Sequence, residues 1–168
     1  LCLTVHETCH GLAAWALGDP TARRMRRLSL NPLHHIDWLG LASMVICGFD
    51  WAKPVPVDMR YFKNPRAGMA VTALAGPASN FLLALALLFG ASVTAALAPV
   101  NALTVWLFSF MTSTAALSVG LGLFNLVPIP PLDGSKVLFA LLPERAYYTL
   151  MRYERYGMAV LLLLVWLD

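Results

Sequence analysis

The fold class predicted for this chain is an all-α integral membrane protein: a polytopic bundle of transmembrane helices with a short β or irregular membrane-associated loop between the first two. Three observations carry that reading. Charged residues make up 12% of the 168 positions, about half the roughly 25% usual for soluble domains. Hydrophobic residues make up 59%, and the mean hydropathy is +0.68. No Asp, Glu, Lys or Arg lies between Arg66 and Asp133, an uncharged run of 66 residues. A bilayer core takes about 20 apolar residues per spanning helix, so this run holds at least two spans. A water-soluble fold, a disordered chain and a disulfide-stapled secreted domain all fit this pattern poorly. A net charge of +3, scattered along the chain, is too small for a nucleic-acid footprint. The three cysteines (Cys2, Cys9, Cys47) contain no CxxC pair and read as small buried thiols.

The elements follow in order within a single core spanning 1–168, which is expected to continue beyond one or both ends. Residues 1–17 read as a helix, mostly apolar yet carrying two His and a Glu, and Gly18-Asp19-Pro20 stops it. Residues 18–66 read as a basic, Pro-containing loop in which Lys53-Pro54-Val55-Pro56 favours extended backbone. A transmembrane segment is expected over 69–98. Gly76-Pro77 inside it either kinks one long helix or marks the start of the span. Asn101 is a candidate cap for the next segment, 101–134, whose helix ends near Leu126, since three prolines follow within four residues from Pro128. Residues 135–168 read as amphipathic around Glu144–Arg155 and then apolar.

Charge fixes the expected orientation. Arg23, Arg24, Arg26, Arg27, Arg60, Lys63 and Arg66 flank the first loop, and Lys136, Arg145, Arg152 and Arg155 follow the third apolar segment. The turn near Pro99–Asn101 has no such residue. Positive charge marks cytosolic loops, so both basic regions are expected in the cytosol and the chain in the cell membrane as a multi-pass protein.

His6-Glu7-Thr8-Cys9-His10 is an HExxH pattern. Spacing of i and i+4 puts both imidazoles on one helix face, able to share a Zn²⁺, with Glu7 beside the first ligand to take a proton from water. Three polar residues at a solvated helix end would give the same pattern. A hydrolytic zinc site needs three protein ligands and an open position. His34 and His35 are adjacent in a loop, so at most one could reach the site. Asp133 is the stronger candidate, because it closes the uncharged run and a lone carboxylate at that depth needs a cationic partner. An interfacial turn residue in Pro-Leu-Asp-Gly is the competing reading of Asp133.

HETCH at 6–10, NPLHHID at 31–37, WAKPVPV at 51–57, NPRAGMA at 64–70, AGPASN at 75–80 and NLVPIPPLDG at 125–134 together resemble the site-2 protease family of intramembrane zinc metallopeptidases, in its compact prokaryotic form. HExxH alone is weakly specific; followed by GPxxN and NxxPxPPLDG in separate apolar segments, it is highly specific. One local departure is Asp50 before Trp51, where the family pattern has Gly.

The resemblance implies one Zn²⁺ per chain bound by His6, His10 and Asp133, with Glu7 as catalytic base. It also implies that Asn80 is catalytic as well as substrate-binding, donating a hydrogen bond to the developing oxyanion or to substrate backbone, and that Asn125, Trp51 and Pro54 bind substrate along its path. The partners implied are a transmembrane protein substrate and the lipid bilayer of a prokaryotic inner membrane. A helical substrate must be locally extended before cleavage, and an edge in 42–58 could pair with it. Two other readings compete: a catalytically inactive module that binds membrane segments, and a metal transporter, which leaves Glu7 unexplained.

Overall fold

The computed structural model describes residues 1–31, 55–153 and 157. Trp51, Pro54, His34, His35, Cys47, most of the expected extended loop and the apolar segment from 158 onward lie outside them. Among these residues α-helices span Cys2–Ala16 (α1), Thr21–Arg24 (α2), Pro65–Leu97 (α3), Ala102–Asn125 (α4) and Asp133–Ala140 (α5). A 3₁₀ turn covers Met59–Tyr61, and residues 144–153 are also helical. Among the described residues there is no strand.

α1 stops where glycine is expected to stop it. Gly18 adopts φ +104°, its N–H donates to the Trp15 carbonyl, and the Asp19 N–H donates to the Ala14 carbonyl. This crossed pair satisfies carbonyls that the last turn would otherwise leave open. Asp19 is fully buried and accepts from Thr21 N (2.9 Å), Thr21 Oγ1 (2.5 Å) and Asp58 N (2.7 Å). One carboxylate therefore ties the end of α1 to α2 and to the returning chain at Asp58. Asp19→Ala is expected to strand these donors and lower stability by about 2–4 kcal/mol, read as an earlier midpoint in an unfolding titration of the detergent-solubilised chain.

α3 is one helix through Gly76-Pro77, not a span that begins at Pro77. Asn64 caps it by accepting from Ala67 N at 3.2 Å, with Pro65 in its first turn. Its buried residues include Gly68, Thr72, Gly76, Asn80 and Ala84, every fourth position along one face. Such a row of small or compact side chains lets neighbouring backbones approach closely. α3 accordingly packs against α1, α4 and α5. On α4, Thr114, Ala115, Ser118 and Gly122 are buried, and Ser118 Oγ donates to the Asn80 carbonyl at 2.9 Å.

Four residues connect α3 to α4, which fixes them as antiparallel neighbours. Asn101 accepts from Thr104 N at 3.0 Å while its own N–H donates to Thr104 Oγ1 at 3.0 Å, the reciprocal cap that starts α4.

α3 and α4 are long and apolar enough to cross a membrane. At about 1.5 Å per residue they measure roughly 50 and 36 Å, against a hydrocarbon core of about 30 Å. Only 17% of the most apolar 18-residue stretch in each is buried within the protein, so their apolar surface faces outward. Leu82, Leu85 and Phe89 on α3 and Leu103, Trp106 and Leu117 on α4 are largely exposed. The core between the helices is correspondingly small-residue and polar, and the site lies in it.

Asp133 reads from sequence as part of a Pro-rich turn, whereas it is the first residue of α5. The turn 126–132, with a cis Pro130–Pro131 bond, is short because Gly134 lies against the Leu126 and Val127 carbonyls at the end of α4. A side chain at 134 would have no room there.

Candidate metal centre

His6 and His10 are one turn apart on α1 and both are buried. Their rings lie edge to face, with centroids 4.6 Å apart and planes at 87°. Asp133, buried at the start of α5, places Oδ2 at 3.1 Å from His6 Nε2 and 3.1 Å from His10 Nε2. Residues 127 and 123 positions apart thus converge on one point. Glu7 is half-buried in the same cleft, and its carboxylate and the two imidazoles offer ligand atoms within 4.8 Å of one another. Glu7 Oε2 also accepts from Val55 N at 3.1 Å.

Two triads could hold a metal ion: the two His with Asp133, or the two His with Glu7. The donor distances favour the first. Ligands of a tetrahedral zinc ion at about 2.0–2.1 Å from the metal are about 3.3 Å from each other, and both His–Asp133 edges measure 3.1 Å. Glu7 is held by the Val55 N–H and leaves the third position to Asp133. Two neutral imidazoles and one carboxylate are a donor set suited to zinc, with a fourth position left for water. The residues present fit the ion.

The remaining atoms of these three side chains are held by different elements. His10 Nδ1 donates to the Thr72 carbonyl at 2.7 Å. The Asn80 side-chain amide lies 3.1 Å from His6 Nδ1. Lys136 Nζ lies 3.6 Å from Asp133 Oδ1. Both Nε2 atoms therefore remain directed at Asp133 Oδ2. Gly76 forms the floor: a Cβ there would come within 2.5 Å of His10 Nε2 and 2.6 Å of His6 Nε2. Thr72, Gly76 and Asn80 are successive members of the buried row on α3, so one helix face supports both imidazoles.

The cleft in front of the cluster has a volume of about 340 Å³ and is lined by His6, Glu7, His10, Asn125, Asp133 and Lys136 with several apolar neighbours. Asn125 is at the cleft wall, and its Nδ2 donates to the Leu121 carbonyl at 3.0 Å. Asn80 is not at the wall. It is fully buried, behind His6, with its amide against that ring rather than at the cleft. Trp51 and Pro54 lie outside the described residues. Cys2 and Cys9 form no disulfide and are half-buried rather than buried, and Cys2 Sγ donates to the Thr114 carbonyl at 3.5 Å.

Sequence reasoning missed the Thr72 carbonyl and Lys136. A backbone carbonyl has no sequence signature. From the sequence Lys136 reads only as a topological charge, although its place three residues after Asp133 puts it on the same face of α5.

Residues 91–167 match the model of the family described as Peptidase family M50. The chain is 37% identical over 169 residues to "Putative zinc metalloprotease YwhC" of Bacillus subtilis, an alignment covering 96% of this chain and 74% of the relative. It is 29% identical to "Putative zinc metalloprotease Rip2" of Mycolicibacterium smegmatis over 97% of this chain and 62% of the relative. It is 30% identical to the protein of the same name from Mycobacterium tuberculosis, with 96% and 62% covered. The chain thus spans about three quarters of the first relative and under two thirds of the other two. No solved structure matches it.

Proposed function

Since the chain belongs to peptidase family M50, the site-2 protease family of membrane metalloproteases, we propose that it hydrolyses peptide bonds within or beside transmembrane segments of other membrane proteins, as in regulated intramembrane proteolysis. The observation that carries this reading is the convergence of His6 Nε2, His10 Nε2 and Asp133 Oδ2, each His–Asp pair at 3.1 Å, beside the Glu7 carboxylate. The site is built among helices whose outer surfaces are apolar, so a substrate is presented from the bilayer. The chain is proposed to lie in the cell membrane as a multi-pass protein with its basic loops in the cytosol.

In this reading His6, His10 and Asp133 would hold one zinc ion per chain, which would supply Lewis acidity toward water and toward the scissile carbonyl. Glu7 accepts the proton from the attacking water and delivers it to the leaving amine. The Val55 N–H holds the Glu7 carboxylate in place without supplying or taking a proton. Asn125, at the cleft wall, has an amide able to hydrogen-bond substrate backbone that is released when a helical segment is locally extended. Low exposure of the His and Asp side chains keeps bulk water from the site, which strengthens every charge interaction in it.

The test is zinc content and cleavage measured together. Asp133→Ala is expected to remove one of three ligands and to reduce bound zinc, by atomic absorption of the purified chain, from about one equivalent to near none. Cleavage of a single-span reporter in liposomes is expected to disappear with it. In the wild type, a chelator is expected to abolish cleavage and stoichiometric zinc to restore it. Unchanged zinc content in Asp133→Ala would return Asp133 to the role of a turn residue and refute the site.

A further inference from the structure

We infer that Asn80 is a positioning residue for His6: its amide oxygen accepts the His6 Nδ1–H and thereby keeps the Nε2 lone pair on the metal side. The inference rests on the zinc-site reading above and concerns what surrounds one ligand.

Three observations lead to it. His6 Nε2 is one of the atoms converging on Asp133 Oδ2, and a ring nitrogen that binds a metal carries no proton, so the neutral ring carries its proton on Nδ1. The neighbour of Nδ1 is the Asn80 amide at 3.1 Å. An N–H cannot be satisfied by an NH₂ group, so the oxygen end of the amide must face it. With the nitrogen end toward His6, Asn80 Oδ1 is buried and has no partner among the described residues. Turning the near-isosteric carboxamide by half a turn brings that oxygen onto the ring N–H and removes the conflict of two N–H donors facing each other.

The other two ligands have the same arrangement. His10 Nδ1 donates to the Thr72 carbonyl, and Asp133 Oδ1 faces Lys136, so each proposed ligand is oriented through the atom that does not face the metal. Asn80 is two helical turns from Thr72 on the same face of α3, which is why one helix can orient both imidazoles. Full burial at 0% exposure leaves no path for its amide to touch substrate.

The experiment compares the wild type with Asn80→Leu and Asn80→Asp in the full chain. Leu keeps the branched shape of Asn without an acceptor, and Asp retains an acceptor oxygen in the same place. Zinc affinity by chelator competition is expected to fall about 10- to 100-fold in Asn80→Leu and to stay within about threefold of the wild type in Asn80→Asp. In ¹⁵N-His-labelled, zinc-loaded protein, the His6 Nδ1 proton is expected to exchange slowly with water in the wild type and Asn80→Asp, and rapidly in Asn80→Leu. A packing role alone would leave both readouts of Asn80→Leu unchanged. A zinc-binding wild type with an equally tight Asn80→Leu overturns this inference alone. Equal loss in both variants with no change in Nδ1 proton exchange also overturns it. A wild type that binds no zinc would overturn the peptidase reading, and this inference with it.

Discussion

Glu7→Gln is expected to lower the rate of cleavage of a membrane-spanning substrate by about 10²- to 10⁴-fold, the range removed with a positioned general base, while zinc content and folding stay at wild-type levels. The substitution is selective because of where Glu7 lies. Its carboxylate accepts from Val55 N at 3.1 Å, and a Gln side-chain oxygen can accept the same bond, so the chain entering at Val55 keeps its anchor. The His6 and His10 contacts to Asp133 do not pass through Glu7, so the proposed ligands are untouched. What is lost is the capacity to hold a proton. The measurement is single-turnover cleavage of a reporter, with zinc by atomic absorption as control. Full activity in Glu7→Gln would refute the assignment of the base. In cells, membranes carrying Glu7→Gln should accumulate uncleaved proteins that the wild type removes, which identifies substrates directly.

How much of this was legible in the sequence depended on whether a feature resides in side-chain identity or in tertiary approach. The i, i+4 pair His6 and His10, the stop at Gly18 and the cap at Asn101 are local. Each follows from a residue type at a fixed spacing, and each is found where spacing put it. Asp133 was visible for a different reason, as the single charge closing a long uncharged run, although its place as the first residue of α5 was not.

Gly76-Pro77 left two helical arrangements open, because Pro is acceptable both at a helix start and, with neighbouring support, inside one. The tertiary packing decided it. Gly122 of α4 lies against the Pro77 carbonyl and the Asn80 side chain, a contact that needs α3 unbroken at that level. Asn80 could be recognised as part of a motif, and the resemblance placed it at the substrate. That its amide lies 3.1 Å from His6 Nδ1 follows only from the packing of α3 on α1.

Gly76→Ala is expected to reduce zinc affinity by about 10- to 100-fold, although the change favours the helix in which it is made. In a helix interior Ala is more stable than Gly by about 1 kcal/mol, so α3 itself gains. The site loses more. A Cβ at position 76 would lie 2.5 Å from both Cε1 and Nε2 of His10 and 2.6 Å from His6 Nε2, about an ångström inside ordinary van der Waals contact. The rings cannot simply slide away, because His10 Nδ1 is bound to the Thr72 carbonyl and His6 Nδ1 lies against Asn80. Overpacking of this kind costs about 1–3 kcal/mol, and about 1.4 kcal/mol is tenfold in affinity. Here the strain falls on two of the three proposed ligands at once, so it opposes closure of the site around the ion. Chelator competition should register the loss of affinity, and circular dichroism should show unchanged helix content, separating damage to the site from damage to the fold. Wild-type zinc affinity in Gly76→Ala would mean that both imidazoles can move without cost, and would remove the case that one face of α3 builds the site.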